Sequence, residues 1–235
     1  MEKNKVMCEV NPRSKVSEAF RILRTNLQFS TVDQSFKSLL ITSPGPSEGK
    51  STVAANLGIV MAQAGARVIL LDCDLRWAEQ HRLFDLPNEN GLTDVLVGSK
   101  EISQVLKNTR LPSLKIITCG TLPPNPTELL DSDKNREVLA ELGEMADIVL
   151  IDSPPTLMVA DAAILASIVD GCILVIKSAK TKMDAVRQAK EHLDKANARI
   201  VGTVLNAVEG SNGYHYYDSY YYGKKNRKVI EASKM

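Results

Sequence analysis

Between residues 37 and 206 the sequence alternates short apolar runs with longer amphipathic segments. The apolar runs are rich in Ile, Leu and Val with little polar alternation, which is typical of strands covered on both faces. We predict strands at Ser38–Thr42, Val68–Cys73, Lys115–Thr118, Ile148–Asp152, Cys172–Ile176 and Val201–Leu205. We predict helices near Ser51–Ala64, Glu128–Leu142, Asp161–Ser167 and Lys182–Ala196. This alternation indicates an α/β fold with a doubly wound, mostly parallel sheet and helices on both faces.

Two terminal segments fall outside this alternation. Residues 14–30 predict a helix, because apolar side chains recur there at three- and four-residue steps. These apolar residues are Val16, Phe20, Leu23 and Leu27. From Glu209 onward the apolar pattern stops, and the chain becomes rich in Gly, Ser, Tyr and Lys. We therefore predict one domain over residues 1–208, followed by a flexible tail over residues 209–235.

Length, charge and composition exclude several classes of protein. The 235 residues fit one domain of ordinary size, and the net charge of +1 does not favour nucleic acid or anionic membranes. No apolar stretch approaches the ~20 residues that a bilayer-spanning helix needs. The four cysteines are widely spaced and form no CxxC pair, which argues against disulfides or a zinc site. We therefore expect a cytoplasmic protein.

The segment between the first strand and the first helix, SPGPSEGKST at residues 43–52, is a phosphate-binding loop, or P-loop. Such a loop aims backbone N–H groups inward and ends at a helix N-terminus, which favours anions. Lys50 is then expected to reach the β- and γ-phosphates, and the Ser51 hydroxyl to ligate Mg²⁺. The match is imperfect, since Pro44 replaces the first motif glycine and Ser47 lies where glycine would ease tight wrapping.

Acidic residues end two of the predicted strands. The second strand runs into Asp72 and Asp74, and the fourth runs into Asp152. In a parallel sheet both strand ends face the same edge as the P-loop. Carboxylates beside a triphosphate are costly without a divalent cation, so the pattern predicts Mg²⁺ with Asp152 holding a metal-bound water. On a continuous strand Asp72 and Asp74 would share a face, one contacting the metal and the other acting as a base.

All the tyrosines of the chain lie in the predicted tail. They are Tyr214, Tyr216, Tyr217, Tyr220, Tyr221 and Tyr222. A fold that needed tyrosine for its core would spread it over the core. A nucleic-acid stacking segment, helped by nearby lysines, is the competing interpretation. It is disfavoured because the domain carries no second basic patch that we can identify.

Together these segments resemble the bacterial tyrosine kinases of exopolysaccharide and capsule synthesis, in the form where the kinase is a separate cytoplasmic chain. The resemblance rests on the loop Pro44–Thr52, on VILLDCDLR (Val68–Arg76) as the motif called Walker A′, and on IVLIDSPP (Ile148–Pro155) as Walker B. An ExxRxxR pattern and the terminal tyrosines complete it. It implies a protein-tyrosine kinase with the P-loop NTPase fold, which uses ATP and Mg²⁺ and regulates exopolysaccharide or capsule production.

The same resemblance assigns roles to individual residues. It implies that ATP is bound by Gly45, Pro46, Ser47, Glu48, Gly49, Lys50, Ser51 and Thr52. Asp74 and Asp152 would join Ser51 at the metal, and Asp74 would also belong to the catalytic set with Lys50 and Asp72. Asp72 would accept the proton of a tail tyrosine, which makes the six tyrosines autophosphorylation sites. Because an ordinary aspartate has a pKa of about 3.9 and tyrosine about 10, we expect Asp72 mainly to orient the hydroxyl.

Glu18, Arg21 and Arg24 form the ExxRxxR pattern and would share one helix face. From the residues alone, a surface helix with an i,i+3 ion pair is the favoured interpretation. In the family this motif builds the subunit interface of a ring, which would place one subunit's tail at its neighbour's active site. The family also implies a membrane-anchored activator with a stimulating cytoplasmic segment, a tyrosine phosphatase and protein substrates, but no nucleic acid.

Two other hypotheses stay open at this point. A partition or cell-division ATPase of the same superfamily would be a switch, but such proteins carry a signature lysine where this chain has Gly45. A non-catalytic scaffold would bind ATP through the same residues as a kinase. Asn206 is expected either to contact the base or to cap its strand, and Trp77 either to line the site or to pack. Residues 120–130 predict a stiff loop and a helix cap without assigned chemistry.

Overall fold

The computed structural model describes residues 6–30 and 36–208. The predicted tyrosine sites lie outside these residues. The helices are α1 (Met7–Val10), α2 (Lys15–Phe29), α3 (Lys50–Gln63), α4 (Gln80–Leu83), α5 (Leu92–Leu96), α6 (Ile102–Val105), α7 (Pro126–Leu130), α8 (Asp133–Met145), α9 (Asp161–Ala166) and α10 (Met183–Lys195). The strands are β1 (Ser38–Thr42), β2 (Val68–Asp72), β3 (Lys107–Asn108), β4 (Leu114–Ile117), β5 (Ile148–Asp152), β6 (Gly171–Lys177) and β7 (Ile200–Asn206).

The strands form one seven-stranded sheet in the order β3-β4-β2-β5-β1-β6-β7. Neighbouring strands are parallel except for β3 and β4. Strand β1 lies between β5 and β6. The loop after β1 therefore leaves the sheet at the point where the strand order reverses direction. Ligands usually bind at this point in open α/β sheets. The predicted doubly wound, mostly parallel α/β fold is therefore confirmed.

The central strands are buried on both faces, as their unbroken apolar runs predict. In β1, Leu39 and Ile41 pack in a core with α1, α2 and α3, whereas Leu40 packs in a second core with α8, α9 and α10. Burial of apolar surface on either face of the sheet stabilises the folded state by about 25 cal/mol per Å². The two cores therefore hold the strand ends, and the site residues that follow them, on a rigid sheet.

The predicted helix Glu128–Leu142 is wrong as a single element, because the chain turns between α7 and α8. Ser132 caps α8, its hydroxyl accepting a hydrogen bond from the Asn135 N–H at 3.3 Å. Serine satisfies free N–H groups at a helix start, and here Ser132 marks the beginning of a second helix. Ser14 caps α2 in the same way, which confirms the helix predicted over residues 14–30.

The segment between β2 and β4 contains elements that the sequence did not predict. Helices α4, α5 and α6 have four or five residues each, and β3 has two. Elements this short carry less than two turns of helical periodicity, so they leave no pattern to read.

Among the described residues, no helix is long and apolar enough to cross a bilayer.

Candidate active site

The P-loop connects β1 to α3 and contains two residues with left-handed backbone conformation. Gly49 has a φ of +97° immediately before α3 begins. Ser47 has a φ of +58°. Residues with a Cβ rarely adopt this conformation, which costs them about 1–2 kcal/mol. The sequence expectation that glycine would fit better at position 47 therefore corresponds to local backbone strain.

We expect Ser47→Gly to raise the free energy of unfolding by up to about 1 kcal/mol, because the relieved strain exceeds the added entropy of an unfolded glycine. Chemical denaturation without nucleotide measures this difference. The matched control is Ser178→Gly in the loop after β6, where φ lies outside the left-handed region. That control should lose stability, and a Ser47→Gly protein that loses as much would contradict the prediction.

Glu48 supports the P-loop from inside the protein. Its side chain is buried, and Oε2 accepts a hydrogen bond from the Gly45 N–H at 3.1 Å. Its Oε1 accepts a hydrogen bond from the Thr181 hydroxyl at 2.6 Å. The Asn206 side chain donates from Nδ2 to the Glu48 carbonyl at 2.9 Å, so the end of β7 also contacts the loop. The loop conformation is thus fixed from β7 and from the loop after β6, as well as from its own backbone.

The acidic residues meet at the carboxyl ends of β2 and β5. Asp72 and Asp152 pair in register, and Asp74 follows two residues later. All three are buried, with exposed fractions of 0%, 0% and 1% respectively. Lys50 is the cation among them: its Nζ lies 2.8 Å from Asp74 Oδ2 and 3.6 Å from Asp152 Oδ1. Burial alone would lower the Lys50 pKa, but attraction to Asp152 and Asp74 outweighs it and raises that pKa.

Asp72 is enclosed by the backbone that follows it. Its Oδ1 accepts a hydrogen bond from the Asp74 N–H at 3.2 Å. Its Oδ2 accepts hydrogen bonds from the N–H groups of Glu79 at 3.2 Å and Gln80 at 3.0 Å. Burial, and then repulsion from Asp152, raises the Asp72 pKa well above its ordinary value.

Asp72 and Asp74 would share a face only on a continuous strand, and the strand does not continue to Asp74. Strand β2 ends at Asp72, because the chain then turns back onto the Asp72 carboxylate. A tyrosine hydroxyl can reach Asp72 only if residues 73–80 move, so its role as a base stays a prediction.

The predicted metal ligands lie together. The Ser51 hydroxyl accepts a hydrogen bond from Lys50 Nζ at 3.1 Å, and the same Nζ contacts Asp74 and Asp152. Within residues 6–30 and 36–208, no group of three or more His, Cys, Asp or Glu side chains is arranged to hold a metal. Mg²⁺ usually takes only one or two protein carboxylates besides waters and substrate phosphates. Asp152 Oδ1, buried and without a hydrogen-bond partner among the described residues, is suited to such an ion.

The chain matches the family described as AAA domain over residues 45–204. It is 41% identical over 213 residues to "Putative tyrosine-protein kinase CapB" of Staphylococcus aureus, covering 91% of this chain and 92% of that protein. It is 42% identical over 225 residues to "Tyrosine-protein kinase YwqD" of Bacillus subtilis, covering 96% and 93%. The chain belongs to the bacterial tyrosine kinases. The family resemblance of the sequence is thereby confirmed, and with it the enzyme class of protein-tyrosine kinase.

Solved structures agree with this membership. The structure titled "Crystal structure of the chimerical protein CapA2B2" superposes on the kinase with a TM-score of 0.84 and 34% identity, covering 87% of this chain and 90% of that one. MinD of Pyrococcus horikoshii, a septum site-determining protein solved with Mg-ADP, reaches a TM-score of 0.64 and 26% identity, covering 75% and 72%. The fold is therefore that of P-loop NTPases, and the similarity to kinase structures exceeds that to this cell-division protein.

Gln80 belongs to the site of the kinase although the sequence analysis did not identify it. The residue is fully buried at the start of α4. Its Nε2 donates hydrogen bonds to Asp152 Oδ2 at 2.8 Å and to the Ser51 carbonyl at 3.1 Å. A single glutamine in a polar stretch has no motif spacing. Its closeness in sequence to Asp72 and Asp74 was the available signal.

Arg76, in the loop after β2, connects that loop to the first turns of α7 and α9 beside the acidic residues. Its Nε donates to Asp161 Oδ2 at 3.0 Å, and its Nη2 donates to the Thr127 hydroxyl at 2.9 Å. Thr127 in turn donates to Asp161 Oδ1 at 2.7 Å, and Asp161 is fully buried. Residues 120–130 of the kinase, which the sequence left without a role, are anchored through these contacts. The neighbouring Trp77 is 80% exposed and so does not pack into the core.

The ExxRxxR residues do not share one exposed face of α2. Glu18 and Arg21 form an ion pair of 2.7 Å on the surface, and Arg21 also donates to the Pro12 carbonyl. Arg24 is turned toward α3, where its Nη1 donates to the Val60 carbonyl at 3.2 Å. An exposed pair such as Glu18 and Arg21 contributes at most about 1 kcal/mol to stability. The oligomerisation role of the three residues stays a prediction.

Proposed function

We propose that this kinase transfers the γ-phosphoryl group of ATP, with Mg²⁺, to the tyrosine hydroxyls of its own tail. The observation that carries the proposal is the convergence of Lys50, Ser51, Asp74 and Asp152 at one sheet edge, in a chain with tyrosine-kinase relatives. Strand β7, the last element before the tail in sequence, ends at the same edge, where its last residue Asn206 contacts the P-loop.

The side chains divide the work of phosphoryl transfer. Lys50 exchanges its contact with Asp74 for phosphate oxygens, while the P-loop N–H groups and the start of α3 hold the phosphate chain. Ser51, assisted by Asp74 and Asp152, would hold Mg²⁺, which would neutralise negative charge on the phosphates. The tyrosine oxygen bonds to the γ-phosphorus as the bond to the ADP oxygen breaks. Asp72 orients the hydroxyl and takes its proton late, since the transition state is loose.

The finer assembly also belongs to this proposal. We infer a kinase domain over residues 1–208 and a substrate tail over residues 209–235, in a ring whose interface uses the α2 residues of the ExxRxxR pattern. A ring brings each tail to a neighbouring active site. The family resemblance supports a cytoplasmic location, a membrane-anchored activator that recruits the kinase, a tyrosine phosphatase, further protein substrates and control of exopolysaccharide or capsule production.

The test of the reaction is to incubate the purified protein with γ-labelled ATP, Mg²⁺ and the cytoplasmic segment of an activator, and to map the label. We expect phosphotyrosine between Tyr214 and Tyr222. A variant with all six tail tyrosines changed to Phe should lose the label but retain ATP affinity. Phosphate release without labelled protein would instead support a cell-division-type ATPase, and bound ATP without any turnover would support a scaffold.

The test of transfer between subunits mixes two incomplete chains. One is the full-length Lys50→Met protein, which keeps its tail, and the other is an active chain that ends at residue 208. We expect labelled tyrosine on the Lys50→Met chain, because the tail-less neighbour supplies the active site. If that chain is folded by circular dichroism but stays unlabelled while intact protein labels itself under the same conditions, transfer occurs within one subunit and the ring mechanism is wrong.

A further inference from the structure

We propose that Gln80 positions the Asp152 carboxylate for Mg²⁺ and accepts a hydrogen bond from a metal-bound water through its own Oε1. Gln80 lies where three parts of the site meet. Its backbone N–H donates to Asp72, and its side-chain Nε2 donates both to Asp152 and to the carbonyl of Ser51. The inference rests on the proposed binding of Mg²⁺ with nucleotide and deepens it by adding a residue that acts through a metal ligand.

The hydrogen bond from Gln80 determines which oxygen of Asp152 is available. Nε2 occupies Oδ2 at 2.8 Å, and Oδ1 accepts no hydrogen bond from the described residues. The nearest cation to Oδ1 is Lys50 Nζ at 3.6 Å, which is too long for a hydrogen bond. Gln80 therefore fixes the rotation of the carboxylate and leaves one oxygen free to face an incoming ion or its water.

The second observation is the Gln80 amide oxygen itself. Oε1 is buried and has no hydrogen-bond partner among the described residues, although Gln80 is fully buried. Its identity as oxygen is set by Nε2, which faces two acceptors and must be the donor end. Buried polar groups are nearly always paired, so two unpaired acceptor oxygens on adjacent side chains indicate a missing donor. Metal-bound water supplies O–H groups, and Mg²⁺ usually keeps several such waters.

The experiment measures metal-dependent nucleotide binding rather than turnover. The dissociation constant of ADP is determined by calorimetry with and without Mg²⁺, and the ratio of the two values reports the contribution of the metal. In Gln80→Met, which keeps side-chain length but loses the amide, this ratio should fall about tenfold, while metal-free ADP affinity changes less than about twofold. A purely structural role would lower the melting temperature without changing the ratio.

The matched control is Glu79→Met. The side chain of the adjacent Glu79 pairs with exposed Arg82 at 2.9 Å. The Glu79→Met variant therefore loses a side-chain contact that lies outside the site. The control should keep the wild-type ratio. Gln80→Asn keeps the amide but withdraws it by one methylene, and it provides a milder variant if Gln80→Met does not fold.

The outcomes separate this inference from the proposed function. If wild-type protein shows no Mg²⁺-dependent increase in ADP affinity, the proposed nucleotide chemistry fails. If wild type shows the increase and either folded Gln80 variant keeps it in full, only the role of Gln80 is overturned. A reduced ratio in the Gln80 variants with an unchanged ratio in Glu79→Met supports the assignment.

Discussion

Replacing Lys50 by Met is expected to lower the rate of phosphoryl transfer by about 10³-fold, because the site loses its fixed positive charge for the developing negative charge. The same substitution should have a second effect that does not depend on nucleotide. Lys50 is the cation that lies against buried Asp74 and Asp152. Removing one partner of a buried charge group lowers the free energy of unfolding by about 3–5 kcal/mol, since the remaining charges are uncompensated.

This loss of stability should depend on pH. Burial already raises the pKa values of Asp72 and Asp152 in the native protein, so the native state binds protons more tightly than the unfolded chain. Stability from such groups is present below about pH 4, the ordinary carboxyl pKa, and is lost as pH rises through the raised native value. Without Lys50 the native values rise further. The Lys50→Met deficit should therefore be larger at pH 8 than at pH 5.

Urea denaturation without nucleotide at both pH values measures this deficit. The control is Lys37→Met, which removes an exposed ion pair with Glu144 of 2.8 Å and should leave the free energy of unfolding almost unchanged. A Lys50→Met protein as stable as that control, or a deficit equal at both pH values, would contradict the electrostatic account. Loss of kinase activity would then reflect phosphate binding alone.

Replacing Arg76 by Ala is the second change with a large expected effect. Asp161 is fully buried and has Arg76 as its ion-pair partner. Breaking such a pair should lower the free energy of unfolding by about 3 kcal/mol, near the low end for buried pairs because Arg76 itself is partly exposed. Residues 120–130 should also lose protection from hydrogen exchange, since their anchor at Thr127 loses the Arg76 contact.

Denaturation and hydrogen-exchange mass spectrometry check both parts of the Arg76 prediction. Arg82→Ala is the control, because Arg82 forms an exposed i,i+3 pair with Glu79. That control should change stability by less than about 1 kcal/mol and leave the exchange of residues 120–130 unaltered. Equal effects of the two arginine substitutions would show that Arg76 does not organise the loops.

The parallel strands of the sheet could be predicted from the sequence, since the central ones are unbroken apolar runs buried on both faces. In β1, Leu39, Leu40 and Ile41 are all buried. Because neither face of the strand meets water, the sequence of β1 is apolar at each of these positions. The two-residue strand β3 leaves no such pattern, and it pairs with β4 at the edge of the sheet. The break between α7 and α8 depended on a cap by Ser132, which periodicity alone does not distinguish from a serine within a helix.

The site residues that could be predicted from the sequence are those at the ends of strands or in the P-loop. Asp72 and Asp152 end buried strands, and Lys50 closes the P-loop that follows β1, so motif and topology agree on their location. Gln80 begins the short helix α4 and Thr181 lies in the loop after β6, and neither belongs to a motif. The contact between Thr181 and Glu48 spans 133 residues of sequence, a distance at which one sequence gives no sign of pairing.

The contact between Gly49 and the end of β7 limits how this sequence can evolve. A Cβ at position 49 would lie 2.0 Å from Asn206 Nδ2, and the φ of +97° independently disfavours any side chain. A smaller residue at position 206 would remove the collision but not the strained backbone. Mutational routes that replace the P-loop glycine therefore meet two obstacles in different parts of the chain, and no single compensating substitution at position 206 removes both.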